Sequence, residues 1–131
     1  MRDGFFKVAA VVPAMTVADP KTNAQEIARS IKDAAARGAN LIVFPELAVT
    51  GYTGNDLFLQ DMLRGAENAL RVIRDATAGS FAVVFVGFPL EWKGKLYNTA
   101  AALQNGRILA FIPKRFLPDY AEFYEPRQFT P

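Results

Sequence analysis

An α/β fold is what this sequence predicts, because short runs of β-branched and aromatic residues alternate with stretches of helical spacing, and the last third carries a hairpin pattern. The chain has 131 residues, of which 51% are hydrophobic, enough to bury one core and too few for two. One domain, or part of one, is therefore expected.

The first run, Phe5 to Val12, is closed by Pro13 and reads as a largely buried strand. Asp19-Pro20 then supplies a capping acceptor before a proline suited to a first helical turn. Ala24, Ile27, Ala28, Ile31 and Ala35 follow at helical spacing until Gly38 ends the segment. Leu41 to Phe44 is a second short strand, and a strand, a helix and a strand with brief connections predict a parallel crossover unit. An irregular stretch from Pro45 to Asn55 precedes a second helix from about Asp56 to Ala76, marked by Leu59, Met62, Ala66, Ala69, Leu70 and Ile73. Ala78-Gly79-Ser80 breaks it. Phe81 to Phe88 is almost wholly apolar and predicts a central strand that is covered on both faces and stops at Pro89. Leu96 to Gln104 and Arg107 to Ile112 flank Asn105-Gly106, a pair suited to the positive φ angles of a two-residue hairpin turn. From Pro113 onward periodicity is lost, and a polar and aromatic loop runs to Pro131.

The charge balance excludes several function classes. A net charge of +2, with both signs interleaved, makes the pI of about 9.0 a small surplus and not a polycationic surface, so nucleic acid is not implied. The opening Met1 to Gly4 leads into an apolar run broken by Lys7, unlike a secretory leader, and no stretch could span a bilayer. Cytoplasm is the default location. With no Cys and no His, the chain holds no disulfide framework, no zinc site of the usual nitrogen and sulfur kind, and no Ser/His or Cys/His catalysis. No metal site is expected.

Ligands of open α/β sheets collect at the carboxyl ends of strands, so the first polar residues after buried strands are the candidates. Phe44-Pro45-Glu46 ends the second strand and Ile112-Pro113-Lys114 ends the last, each placing a charged group just past an apolar strand and a proline. A converging pair of this kind suits amide hydrolysis, where the carboxylate takes a nucleophile's proton and the ammonium stabilises the oxyanion. On placement alone, Glu46 reads more readily as a solvated or salt-bridged loop carboxylate than as a catalytic group, and the same holds for Lys114. Gly51-Tyr52-Thr53-Gly54 lacks the spacing of a phosphate-binding loop. Tyr120, Glu122, Tyr124 and Glu125 could rim a site or pack beside Lys114 and Arg115.

As an ordered set, several motifs are more specific than any one of them. They are Phe44-Pro45-Glu46-Leu47, Thr50-Gly51-Tyr52, Leu96-Tyr97-Asn98-Thr99-Ala100 before Asn105-Gly106, Pro113-Lys114, Leu117-Pro118, and Glu122-Phe123-Tyr124-Glu125. The set resembles the nitrilase superfamily over essentially the whole chain, most closely the amino-terminal glutaminase domains of glutamine-dependent NAD synthetases. The resemblance implies a four-layer α-β-β-α sandwich and a Glu-Lys-Cys triad that releases ammonia from glutamine through a thioester. On it, Glu46 matches the general base, Lys114 the oxyanion-stabilising lysine, and Glu125 the second glutamate. Tyr52 and Tyr120 match aromatic residues near the glutamine site. Residues 1–131 would then be the front portion of that domain, with the cysteine and the synthetase domain lying beyond it. ATP and magnesium are expected in that domain and no cofactor in this portion. The resemblance also implies a homo-oligomer, and the portion alone is expected to be inactive. The alternatives are a stand-alone amidase or carbamoylase of the superfamily and a non-catalytic interaction module.

Overall fold

The structure, a computed structural model, describes residues 4–53 and 60–131. Five strands form one sheet in sequence order: β1 (Val8–Ala10), β2 (Leu41–Val43), β3 (Val83–Trp92), β4 (Lys95–Gln104) and β5 (Arg107–Pro113). β1 pairs with β2, and β2 with β3, in parallel, whereas β3, β4 and β5 run antiparallel. Parallel neighbours need crossovers, and these carry α1 (Pro20–Ala36) and α2 (Gln60–Ala76). The sheet and its two helices are the mixed α/β architecture that the sequence predicts, one β layer and one α layer.

Local chemistry explains where α1 starts and stops. The Asp19 carboxylate accepts the Thr22 N–H at 3.0 Å, Pro20 occupies the first helical turn, and Gly38, at φ 81°, ends the helix with its N–H on the Ala35 carbonyl. Ile27 and Ile31 are fully buried, in one cluster with Ala66 and Ile73 of α2 and with Ile42, Val84, Val86 and Leu103 of the sheet. Each such isoleucine contributes about 1.5–3 kcal/mol by leaving water. In α2 the predicted Met62, Ala66, Ala69, Leu70 and Ile73 are all buried. The predicted start of that helix at Asp56 and its Leu59, together with Gly54, Asn55 and Met1 to Asp3, lie outside the described residues. No helix among the described residues is long and apolar enough to cross a membrane.

Three expectations about strands are corrected. The predicted strand from Phe5 to Val12 narrows to Val8–Ala10 and is not largely buried, since Phe5, Val8 and Val12 are exposed. β1 is an edge strand whose partner β2 offers only three rungs, and the Asn40 side chain accepts the Lys7 N–H where pairing ends. The strand predicted to stop at Pro89 runs on to Trp92. Phe85 and Gly87 offer their carbonyls to Phe44 and Val49 on the β2 side, so Pro89, two residues on, turns its donorless nitrogen to that same side, where no strand pairs with it. Cover on both faces is seen only toward its end, where the turn after β2 lies over buried Gly87. Val84, Val86 and Phe88 face the helices and are buried, while Val83 and Phe85 alternate with them and are half-buried. Asn105 and Gly106, at φ 47° and 72°, make the predicted tight turn into β5.

Candidate active site

Both charged candidates leave the sheet at a proline. After Val43 the Phe44 N–H still bonds to the Phe85 carbonyl at 2.9 Å, and then Pro45 and a run of turns from Glu46 to Thr50 carry the chain away. Those turns lie directly on β3. An ideal Cβ at Gly87 would stand 2.2 Å from the Leu47 nitrogen and 2.4 Å from the Pro45 carbonyl oxygen, so only a glycine lets Glu46 sit where it does. The Val49 N–H then bonds the Gly87 carbonyl at 3.2 Å. From the helix side, fully buried Asn23 secures the same loop. Its amide donates to the Val49 and Thr16 carbonyls at 3.1 and 2.7 Å, and its oxygen accepts the Thr16 N–H at 2.8 Å. Asn23→Ala strands these buried groups and is expected to cost about 2–3 kcal/mol. In urea unfolding, the midpoint should drop with an unchanged slope; an unshifted midpoint would show that the loop does not depend on Asn23.

Lys114 follows β5 in register, its N–H on the Asn98 carbonyl at 2.7 Å. Strand alternation puts Asn98 on the sheet face opposite the helices, because its neighbours Ala101 and Leu103 belong to the helix-side core. Glu125 opens a single 3-10 turn, Glu125–Arg127, in the otherwise irregular tail. Its N–H bonds the Pro118 carbonyl at 3.2 Å, and the Thr130 N–H ties the tail to the Leu96 carbonyl at 2.7 Å.

These separate segments meet at one ammonium. Lys114 Nζ lies 2.7 Å from Glu46 Oε1 and 2.9 Å from Glu125 Oε1. The Tyr52 hydroxyl donates to Glu125 Oε1 at 3.3 Å, and Asn98 Nδ2 donates to Glu46 Oε1 at 2.5 Å. Of the predicted residues, Glu46, Lys114, Glu125 and Tyr52 are thus brought together. Tyr120 is not in this network; it is exposed, with its ring edge-on to Phe123 at 5.5 Å between centroids. Asn98 and Gly87 were not singled out from the sequence as site residues. An isolated glycine within an apolar strand run was the available signal for Gly87. For Asn98 the signal was a polar amide in the middle of a strand. Two hollows flank the cluster, one of ≈ 390 Å³ bordered by Leu47, Tyr52, Phe123 and Glu125, the other of ≈ 300 Å³ bordered by Glu46, Gly87, Asn98 and Lys114.

Electrostatics fixes what Lys114 can do. Its partial burial, the largest single influence, pulls its pKa down, but the hydrogen bonds and charges of Glu46 and Glu125 together outweigh it and leave the pKa above 10.5. Near neutrality Lys114 is a cation, suited to stabilising an oxyanion and unsuited to taking a proton. Burial, then the charges of Glu125 and Glu46, also push the Tyr52 phenol above 10.0, and Lys114 only partly offsets this. Both folded values are raised. The stability they contribute is therefore full below the ordinary values of 10.0 and 10.5 and is lost as pH climbs through the raised ones. The melting temperature should fall above about pH 10, and Tyr52→Phe should make that fall shallower. An identical fall in the variant would contradict the coupling. Glu125 is 9% exposed, and among the described residues its Oε2 is buried with no hydrogen-bond partner, a cost that structure alone does not repay.

An α/β sheet with a carboxylate–ammonium–carboxylate cluster at its strand ends defines the class. The chain belongs to the carbon-nitrogen hydrolase family, whose model matches residues 7–128. The glutamine-dependent NAD(+) synthetase of Mycobacterium tuberculosis (strain ATCC 25618 / H37Rv) is 41% identical over 129 residues, 98% of this chain and 19% of the relative. That of Aquifex aeolicus is 36% identical over 115 residues, 87% of this chain and 20% of the relative. Among solved structures, the glutamine-dependent NAD+ synthetase from Acinetobacter baumannii superposes with a TM-score of 0.87 at 31% identity, covering 95% of this chain and 24% of that one. A nitrilase-superfamily amidase from Nesterenkonia AN1 has a TM-score of 0.83 at 22% identity, covering 100% of this chain and 50% of that one, which shows the shared fold. The chain thus spans about one fifth of the length of the synthetases it matches.

Proposed function

We propose that residues 1–131 are the amino-terminal portion of the glutaminase domain of a glutamine-dependent NAD synthetase and carry its general base and oxyanion lysine. The observation that carries this reading is Lys114 Nζ held between Glu46 Oε1 and Glu125 Oε1 at 2.7 and 2.9 Å. Glu46 takes the proton of a cysteine thiol, whose electron pair then attacks the carboxamide carbon of glutamine. Lys114 stabilises the oxyanion that forms, and Glu125 holds Lys114 in place. Collapse of the adduct expels ammonia with a proton returned by Glu46, and water then cleaves the thioester to glutamate. Tyr52 borders the glutamine site through its bond to Glu125, while Tyr120 enters only through the family resemblance.

The thiol is not among these 131 residues, which include no cysteine, so the portion alone releases no ammonia. ATP and magnesium belong to the synthetase domain. A cytoplasmic location and a homo-oligomer complete the reading, and the exposed apolar residues Val8, Val43 and Ile112, on the sheet face away from the helices, are where the second β layer of the sandwich would pack. A substrate panel on the polypeptide that carries this segment with its nucleophile tests the assignment. Glutamine is expected to outperform acetamide and acrylamide by about 10²-fold or more in kcat/KM, since a site built to pair polar groups rejects analogues lacking them. A preference for the simple amides would point instead to a stand-alone amidase.

A further inference from the structure

Asn98 touches both halves of the cluster through two different groups. Its backbone carbonyl accepts the Lys114 N–H at 2.7 Å, and its side-chain Nδ2 donates to Glu46 Oε1. Lys114 Nζ donates to that same oxygen. Two donors on Oε1 leave Oε2 of Glu46 with no hydrogen bond among the described residues. The two oxygens of one carboxylate are therefore unequal: Oε1 is occupied and electrostatically satisfied, and the open lone pairs are on Oε2.

We propose that Asn98 is a positioning residue that selects Glu46 Oε2 as the oxygen that takes the nucleophile's proton and, through its carbonyl, sets the height of Lys114 beside it. The inference rests on the glutaminase reading. Asn98 is 3% exposed and lies at the middle rung of three, between Pro89 on β3 and the residue that follows β5, so its two bonds share one rigid frame. A rotation of the Glu46 carboxyl requires breaking the hydrogen bond from the Asn98 amide, whereas Lys114, on a flexible stem, could follow the carboxylate round. In the proton step the thiol S–H bond breaks, an O–H bond forms at Oε2, and the electron pair stays on sulfur. Hydrogen bonds from Asn98 and Lys114 remain on Oε1 throughout, so no donor has to be displaced before the proton arrives. The charged and titratable groups around Glu46 are Lys114 after β5, Glu125 in the tail turn and Tyr52 in the loop following Glu46 itself.

The test is made on the intact, cysteine-bearing polypeptide. Asn98→Ala and the nearly isosteric Asn98→Asp are each expected to lower kcat about 10²-fold with KM little changed. In Asn98→Ala the acid limb of the kcat/KM profile should also move up, because the charged carboxylate has lost a donor. A role limited to folding stability would lower the melting temperature and leave that limb in place, which would overturn the inference. Should either variant fail to fold, the unaltered protein still decides the question. The Asn98 side-chain amide resonance should shift as Glu46 titrates and should lose that response in Glu46→Gln; a resonance blind to Glu46 would overturn the inference. An active Glu46→Gln protein would instead remove Glu46 as the base, the part of the glutaminase reading on which this inference rests.

Discussion

Glu46→Gln is expected to lower glutamine-driven turnover by about 10³-fold, the scale of losing a general base. Gln keeps the side chain's length and can still accept the Lys114 and Asn98 hydrogen bonds at its oxygen, so the loss isolates proton acceptance from packing. The network spans three segments, the turn after β2, the residue after β5 and the tail turn at Glu125. Removing one charge from it should therefore leave the melting temperature within a few degrees of the parent. Stopped assays of ammonia released from glutamine, run beside a thermal scan, separate these effects. Retention of more than a tenth of the activity would mean that another group takes the proton.

The second large effect is expected from a single methyl group. At Gly87 the atoms that a Cβ would meet are all backbone, the Leu47 nitrogen at 2.2 Å, the Pro45 oxygen at 2.4 Å and the Glu46 carbonyl carbon at 2.6 Å. No rotamer change relieves a backbone contact, so Gly87→Ala must lift the Glu46 turn off β3. We expect a destabilisation of about 3 kcal/mol and, from displacement of the carboxylate, a loss of about 10²-fold or more in turnover. Gly65 in α2 provides the contrast. Its Cβ would touch Pro20 at an ordinary 3.5 Å, so Gly65→Ala is expected to stabilise the chain by about 0.5–1 kcal/mol through helix propensity. Equal behaviour of the two variants in chemical denaturation would show that the close crossing is not what Gly87 is for.

Features set by neighbouring residues were readable before the structure. Asp19-Pro20 opens α1 and Asn105-Gly106 turns β4 into β5 because the relevant φ angles and capping bonds are decided within a few positions. A second turn of the same kind, Lys93-Gly94 at φ 51° and 72°, carries no clear sequence signal, because lysine seldom takes a positive φ and Pro89 reads as a stop. Whether a strand tolerates proline depends on which neighbour its nitrogen faces, which only the sheet order reveals. The site shows the same division. Glu46 and Lys114 stood out as the first charges past buried strands, and the motif set gave them roles. Asn98 and Gly87 act across 52 and about 40 residues of chain, through strand register and backbone crossing, and a linear pattern carries neither.

A decisive measurement replaces the matching 129-residue stretch of the Mycobacterium tuberculosis synthetase with this chain, which is 41% identical to it. NAD formation is then followed with glutamine or with added ammonium as the nitrogen source. The hybrid is expected to use glutamine, and Glu46→Gln or Lys114→Met within it to abolish glutamine use while ammonium still supports synthesis. A hybrid that forms NAD from ammonium but never from glutamine, although folded, would contradict the assignment of Glu46, Lys114 and Glu125 to a glutaminase site.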